Sequence, residues 1–346
     1  MNNDREARWL EAWYGGKRWV YWLLPLEGLF RGISFIRRFF IRQYCQKKIP
    51  VPVIVVGNLS VGGTGKTPVI IALVQYLQSR GHKVGVISRG YGSRAPEYPY
   101  VITAASSAEQ AGDEPLSIWR ATGCAVCIDA NRVAAAHTLV QSGCTLLLSD
   151  DGMQHYRLGR DIEIAVLDAA RGMGNGHCLP VGPLREAPGR LKSVDFVIAN
   201  QTQLDGEVDI ATGAYHMRLQ PRHWFRVKTL ERLPLDTLVP GTRVHAVAGI
   251  GNPQRFFDTL ARLNLAPQPH IYPDHHQFTA ANFAFKAPLP VVMTSKDAVK
   301  CQPFASPNWL ALEVDAVIDK KFWPALDAAL KHLEDSSTSA PSGPVL

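Results

Sequence analysis

Cysteine is scarce in this chain: six in 346 residues, at Cys45, Cys124, Cys127, Cys144, Cys178 and Cys301. A chain of this length buries enough apolar surface to do without a disulfide framework. The one C-x-x-C, Cys124-Ala-Val-Cys127, has no second pair to complete a zinc site and reads as core thiols in a reducing compartment. No cleavable signal peptide is expected, because the N-terminus is charged and lacks a clean apolar core. In the first 48 residues the longest uncharged run, Trp19 to Leu26, is interrupted by Pro25. It falls far short of the about 20 apolar residues that span a bilayer. No internal repeat is visible. Two nucleotide fingerprints are missing as well. Gly249-Ile250-Gly251 lacks the third glycine of a dinucleotide fold. Thr294-Ser295-Lys296-Asp297 lacks the spacer of the guanine-reading N-K-x-D, which favours ATP over GTP.

The charge that is present is unevenly placed. Of the net +7, residues 1–48 hold ten Lys and Arg against four acids, so that segment supplies +6 and the rest of the chain +1. The near-neutral remainder argues against a nucleic-acid surface, and nothing in the sequence points to a protein partner. The basic segment is also aromatic, with Trp9, Trp13, Trp19 and Trp22 set among its cations. From 26 to 42, Leu26, Leu29, Phe30, Ile33, Ile36 and Phe40 share one helical face, and Arg31, Arg38 and Arg42 the other. Arg37 and Phe35 break the pattern. Such a helix can lie in a membrane interface, with rings buried and guanidinium groups on anionic headgroups. A helical hairpin packed on its own domain is the alternative.

The centre of the sequence is Val53 to Leu73, VIVVGNLSVGGTGKTPVIIAL. Val53 to Val56 form an unbroken apolar run, as in a parallel strand covered on both faces. Ser60, Val61, Gly62, Gly63, Thr64, Gly65, Lys66 and Thr67 then match the phosphate loop G-x-x-x-x-G-K-[ST], with Ser60 in place of the first glycine. The glycines let backbone amides converge on an anion. Pro68 suits a first helical turn, and Val69, Ile70, Leu73, Val74 and Leu77 keep helical spacing. Phosphate oxygens are expected at the positive end of that helix, with Lys66 at the β- and γ-phosphates and the Thr67 hydroxyl on Mg²⁺.

Strands are predicted at 84–88, 145–148, 162–167 and 196–199, alternating with helices such as 116–121. This means an α/β fold, a P-loop NTPase-like parallel sheet with helices on both faces and ligands at the carboxyl ends of its strands. The spans read as 1–48, a basic aromatic helical segment; 49–215, the P-loop core; 216–240, a linker; 241–334, a smaller α/β domain; and 335–346, a disordered tail. In the smaller domain, 244–248 and 291–294 are the predicted strands and 253–263 the helix.

Asp150 and Asp151 end the apolar run Leu146 to Leu148, where a P-loop enzyme holds Mg²⁺. Asp113 and Glu114 precede Pro115, and a helix N-terminal role alone accounts for Asp113 as well as chemistry does. Arg89, Arg132 and Arg185 are candidates for phosphate or carboxylate recognition. His275 and His276 are adjacent and have no evident third ligand, so a proton-transfer role for a loop histidine stands beside a metal role.

These motifs in this order, VVGNLSVGGTGKTP (55–68), SRGYG (88–92), GDEP (112–115), SDDGMQH (149–155), LPVGPLRE (179–186), PDHHQF (273–278) and TSKDAVK (294–300), resemble those of the tetraacyldisaccharide 4'-kinases of Gram-negative bacteria. The resemblance spans nearly the whole chain, and Ser60 belongs to that family's usual loop. Ser295 departs from a common Glu, and His276 stands where the family varies. The resemblance implies ATP- and Mg²⁺-dependent phosphorylation of the 4'-hydroxyl of a lipid A disaccharide precursor. It implies Asp113 as general base assisted by His275, and Thr67, Glu114, Asp150 and Asp151 as metal-binding or supporting groups. Arg132, Arg185 and Glu186 are implied active-site contacts. It also implies a peripheral enzyme on the cytoplasmic face of the inner membrane, docked through its basic aromatic segment on an anionic surface. A P-loop ATPase switch, cycling on the membrane without phosphorylating a substrate, is the rival reading. The lysine that partition ATPases carry before the glycine pair is Val61 here.

Overall fold

In the computed structural model, which describes residues 2–201 and 213–338, the apolar run after Pro52 is a strand buried along its whole length, β1 (Val53–Gly57). It lies inside one sheet of 13 strands. The others are β2 (Val84–Ser88), β3 (Tyr100–Val101), β4 (Ala125–Ile128), β5 (Leu146–Asp150), β6 (Ile162–Asp168), β7 (Phe196–Asn200), β8 (Tyr215–Arg226), β9 (Arg232–Leu233), β10 (Arg243–Ala248), β11 (Ala266–Ile271), β12 (Val291–Thr294) and β13 (Leu310–Ile318). The helices are α1 (Asn2–Tyr14), α2 (Leu24–Phe40), α3 (Lys66–Ser79), α4 (Ala108–Ala111), α5 (Asp113–Thr122), α6 (Arg132–Gln141), α7 (Pro253–Arg262), α8 (Ser295–Cys301) and α9 (Phe322–Thr338). The sheet order is β11-β10-β12-β13-β8-β7-β6-β1-β5-β2-β4-β3, with β9 paired to β8. Pairing is parallel except at β3/β4, β8/β9 and β8/β13.

Strand alternation sorts the core into layers. Ile54 and Val56 face one side, packing with Val69, Ile70, Leu73 and Leu77 of α3. Val53 and Val55 face the other, with Leu147 and with Ala135, Ala136 and Leu139 of α6. The second lobe repeats the scheme: Val244, Ala246 and Ala248 meet Phe257 and Leu260 of α7, and Val247 meets Met293 and Trp309 on the opposite face. Cys124 and Cys127 are buried free thiols, which burial pushes up to about 11 and about 12.

The stretch read as a linker, 216–240, is a correction. It carries β8 and β9, and β8 joins the two lobes. Its polar sequence hid the strand, because β8 is half-exposed and buries only Met217 and Trp224 fully. Pro221 sits where the β8/β13 register shifts, opposite Val314. After β13 the chain returns to the first lobe, where Phe322, Leu326 and Leu330 of α9 enter its core. The tail expected from Asp335 begins inside α9, which runs to Thr338, and 339–346 lie outside the described residues.

The N-terminal segment packs through Ala12, Trp13 and Val20 against Val181 and through Phe30 of α2 on the core. On α2 only Glu27 is buried. Its carboxylate accepts the Cys178 N–H at 2.8 Å and lies 2.7 Å from His177 Nδ1. Arg38 reaches Glu186 at 3.4 Å and Arg42 reaches Glu163 at 3.8 Å. Two of the arginines expected on the polar face of this helix are thus held by carboxylates of the body. Leu26, Leu29, Ile33, Phe35, Ile36 and Phe40 instead stay more than half exposed. Among the described residues no helix is long and apolar enough to cross a membrane.

Candidate active site at the carboxyl ends of the central strands

The chain leaves β1 through Gly57-Asn58 and turns back into α3 at Lys66, so the glycine-rich loop caps the positive end of a helix. Gly65 has φ +92, and a Cβ there would lie 2.4 Å from Asn200 Nδ2. No other residue type fits that approach. Two asparagines brace the loop. Asn58 Nδ2 donates to the carbonyls of Ser60 (2.7 Å) and Gly62 (3.2 Å). Asn200, at the end of β7, donates to the Thr64 carbonyl at 3.0 Å. Lys66 Nζ rests 3.1 Å from Asn58 Oδ1 and 3.3 Å from Asp151 Oδ1. Thr67 follows in the first turn of α3.

The β1/β5 register sets Val56 beside Asp150, which brings the Asp150-Asp151 pair to the loop. Asp150 is buried and accepts from Ser88 Oγ at 3.3 Å. Burial, then the charges of Glu114 and Asp151, push its carboxyl up to about 7. Asp151 sits in the left-handed region, with φ +46. Burial alone would raise its carboxyl, but Lys66, Arg185 and Arg132 outweigh burial and hold it at about 2. Among the described residues no three His, Cys, Asp or Glu side chains form a cage for a metal. Mg²⁺ bound to substrate phosphates needs only one or two carboxylates. The crowding of Asp150 by two acids is the local deficit of positive charge that such an ion fills, so the residues present fit Mg²⁺.

The second lobe supplies the other wall. Its loop after β11 presents His275, at φ +60, with Nδ1 3.2 and 3.1 Å from the two Asp113 oxygens. Lys296 Nζ lies 2.9 Å from Glu114, 3.0 Å from Asp274 and 4.0 Å from Asp113, and Lys300 Nζ lies 3.7 Å from Asp113. Burial would raise Asp113, but the His275 hydrogen bond and the charges of Lys296, His275 and Lys300 bring it to about 2. His275 is raised, chiefly by its bond to Asp113. Lys296 is raised too, because Glu114, Asp113 and Asp274 outweigh its burial. Gly251 packs on the phosphate loop so tightly that a Cβ on it would be 2.9 Å from Gly63 N.

The remaining expected groups divide. Arg132 is buried and donates to the Asp151 carbonyl at 2.8 Å, and Arg185 donates to Asp151 Oδ2 at 3.1 Å. Glu186 is held by Arg38, Arg190, Tyr156 and Gln154, and among the described residues its side chain meets that of its neighbour Arg185 through Gln154. Arg89 is exposed and lines a hollow of about 350 Å³ with Tyr91 and Asp129. His276 stacks on Tyr272, with ring centres 4.7 Å apart, and so has a packing role. Sequence reasoning missed Asn58, Asn200, Lys296, Lys300 and Arg171. The TSKDAVK motif held the signal for the two lysines. Arg171 Nη2 donates to the Gly251 carbonyl at 3.2 Å, and its Nη1 is 3.4 Å from where a Gly62 Cβ would be.

The model of the family described as tetraacyldisaccharide-1-P 4'-kinase matches residues 19–331. A tetraacyldisaccharide 4'-kinase of Pseudomonas aeruginosa is 48% identical over 329 residues, 94% of this chain and 98% of the relative. One from Azotobacter vinelandii is 50% identical over 333 residues, 95% of this chain and 98% of the relative. A crystal structure of "apo" form LpxK from Aquifex aeolicus in complex with ATP superposes with a TM-score of 0.74 at 24% identity, covering 90% of this chain and 99% of that one. That likeness speaks to the fold.

Proposed function

Because the chain belongs to the tetraacyldisaccharide-1-P 4'-kinase family, we propose that Asp113, assisted by His275, takes the proton of the acceptor's 4'-hydroxyl as the γ-phosphoryl group of ATP moves to that oxygen. Membership carries the coarser statement by itself: the chain is an ATP-dependent tetraacyldisaccharide 4'-kinase of lipid A synthesis. The observation behind the finer reading is the hydrogen-bonded pair of Asp113 and His275, drawn from two lobes beside the phosphate loop.

Lys66 and the amides of Ser60 to Gly65 hold the β- and γ-phosphates. Thr67, Glu114, Asp150 and Asp151 are the groups that would hold Mg²⁺, which when bound neutralises charge on the β- and γ-phosphate oxygens. Arg132 and Arg185 fix Asp151, and Glu186 supports Arg185 through Gln154. Arg89 is assigned to the acceptor side, in the hollow it shares with Tyr91. In the transfer a new phosphorus–oxygen bond forms to the acceptor, the bond to the ADP oxygen breaks, and the acceptor proton stays with the Asp113–His275 pair. An acceptor with several acyl chains remains in the bilayer. The outward apolar side of α2 supports docking of the enzyme at the anionic cytoplasmic face of the inner membrane.

The test uses γ-labelled ATP, a purified disaccharide 1-phosphate lipid and the full chain. Label enters the lipid phase with the parent; Lys66→Ala and Asp113→Asn each reduce transfer by about 10²-fold or more, and only the first greatly weakens ATP binding. Release of free phosphate with no labelled lipid overturns the kinase reading in favour of an ATPase switch.

A further inference from the structure

We infer that Arg171 is a catalytic arginine for the transferred phosphoryl group, set in place by the Gly251 carbonyl when the lobes meet. The inference rests on the kinase reading above. Three features of the molecule lead to it.

The first is position. One Asn58 side chain holds both the Gly62 carbonyl, through Nδ2 at 3.2 Å, and Lys66 Nζ, through Oδ1 at 3.1 Å. Gly62 is therefore at the same end of the loop as the ammonium group that reaches the β- and γ-phosphates. Arg171 Nη1 stands 3.4 Å from the open side of that glycine, where a Cβ would be. The second is unspent hydrogen-bonding capacity. A guanidinium has five N–H donors. Among the described residues the Arg171 side chain bonds one acceptor, the Gly251 carbonyl, and lies over the Tyr14 ring at 5.7 Å, with no carboxylate paired to it. Arg132 and Arg185, by contrast, are both committed to Asp151. A half-buried guanidinium without a counter-ion, beside a phosphate cradle, is a site for an anion.

The third is where the donors open. Arg171, Val61, Gly62, Gly251 and Asp274 share with Trp9 and Trp13 the lining of a cavity of about 420 Å³. The cavity borders the phosphate loop on one side and the residue before His275 on another. Gly251 and His275 belong to the same lobe, so closure that brings the imidazole to Asp113 also fixes the arginine. In the transfer, charge on the equatorial oxygens of the moving phosphoryl group meets the free N–H groups of Arg171, which neither gains nor loses a proton. An arginine delivered in this way is worth about 10³-fold or more in related chemistry.

The experiment compares Arg171→Ala and Arg171→Lys with the parent, measuring turnover, binding of Mg·ADP and binding of Mg·ADP with aluminium fluoride, a mimic of the transferring group. The expected result is a kcat lower by about 10³-fold, with ATP KM and Mg·ADP binding within about threefold of the parent. Affinity for the aluminium fluoride complex falls by a comparable factor, Arg171→Lys does not recover it, and added guanidinium ion partly restores Arg171→Ala. An Arg171→Ala enzyme within about threefold of parental kcat overturns the inference. So does a loss of turnover matched by an equal loss of Mg·ADP binding or of Tm, which marks a structural role. If the parent itself labels no lipid, it is the kinase reading that fails, and the two binding measurements still decide whether Arg171 meets the phosphoryl group.

Discussion

Asp113 and His275 divide one proton unequally. The carboxyl is held at about 2 and the imidazole is raised, so in the proposed transfer a proton taken from the acceptor would come to rest on His275. That proposal requires a neutral imidazole before turnover. The kcat/KM profile should therefore rise with pH through a midpoint above 6.5, the ordinary histidine value. His275→Gln should lower the plateau and erase that limb; a limb unchanged in the variant would remove His275 from the proton path. The pair also acts on stability, with opposite signs at its two ends. The Asp113 contribution is present above 3.8 and lost as pH falls toward about 2. The His275 contribution is present below 6.5 and lost as pH rises through its raised value. What was legible at this scale was placement defined by sequence neighbours, as with Lys66 and Asp151, which lie 3.3 Å apart beside the loop. Asn200 and Arg171 act through contacts with Thr64 and Gly251, 136 and 80 positions apart, and no local pattern marks them; Asn58 works on its own loop, within the quoted motif.

Among the elements, β1, β2 and β12 lie where their apolar runs predict, because both faces of each are buried. β11 escaped notice since Pro267 and Pro269 argue against a strand; it sits at the sheet edge, where the missing N–H groups cost no ladder bonds. α2 was legible in extent and misleading in orientation, since Glu27 and Arg38 meet the body while, of its apolar face, Phe30 packs on the core and Leu26, Leu29, Ile33, Ile36 and Phe40 stay exposed. The approach of the loop after β10 to the phosphate loop depends on a glycine. A Cβ at Gly251 would be 2.9 Å from Gly63 N and 3.5 Å from Asp274 Oδ2, against backbone that has little room to yield. Gly251→Ala should hold the loop after β10 away from the phosphate loop and cut kcat by about tenfold or more, leaving ATP binding near parental. Small-angle scattering would show a wider molecule, and parental turnover would mean that the close approach is dispensable.

For the whole molecule, the first 48 residues hold nearly all the net charge, and their outward side shows Trp22 at 87% exposure beside Leu29, Phe35 and Ile36. Flotation with anionic vesicles at low salt should bring the full chain up with the lipid. Replacing Trp22, Phe35 and Ile36 with Ser should leave it at the bottom, without altering turnover of a short-chain soluble acceptor. Flotation of the triple variant at the parental level would assign those side chains elsewhere.

The chain passes between the two halves only along β8 and β13, and these two strands are bonded to each other. Met217 and Ile318 are rooted in one core, Trp224 and Leu310 in the other, and the step in register falls between them, at Glu313 and Val314. The jaws are thus mounted on a single twisted leaf spring with one built-in crease. Any change of angle between the halves therefore falls on two mutually bonded strands and not on a slack tether.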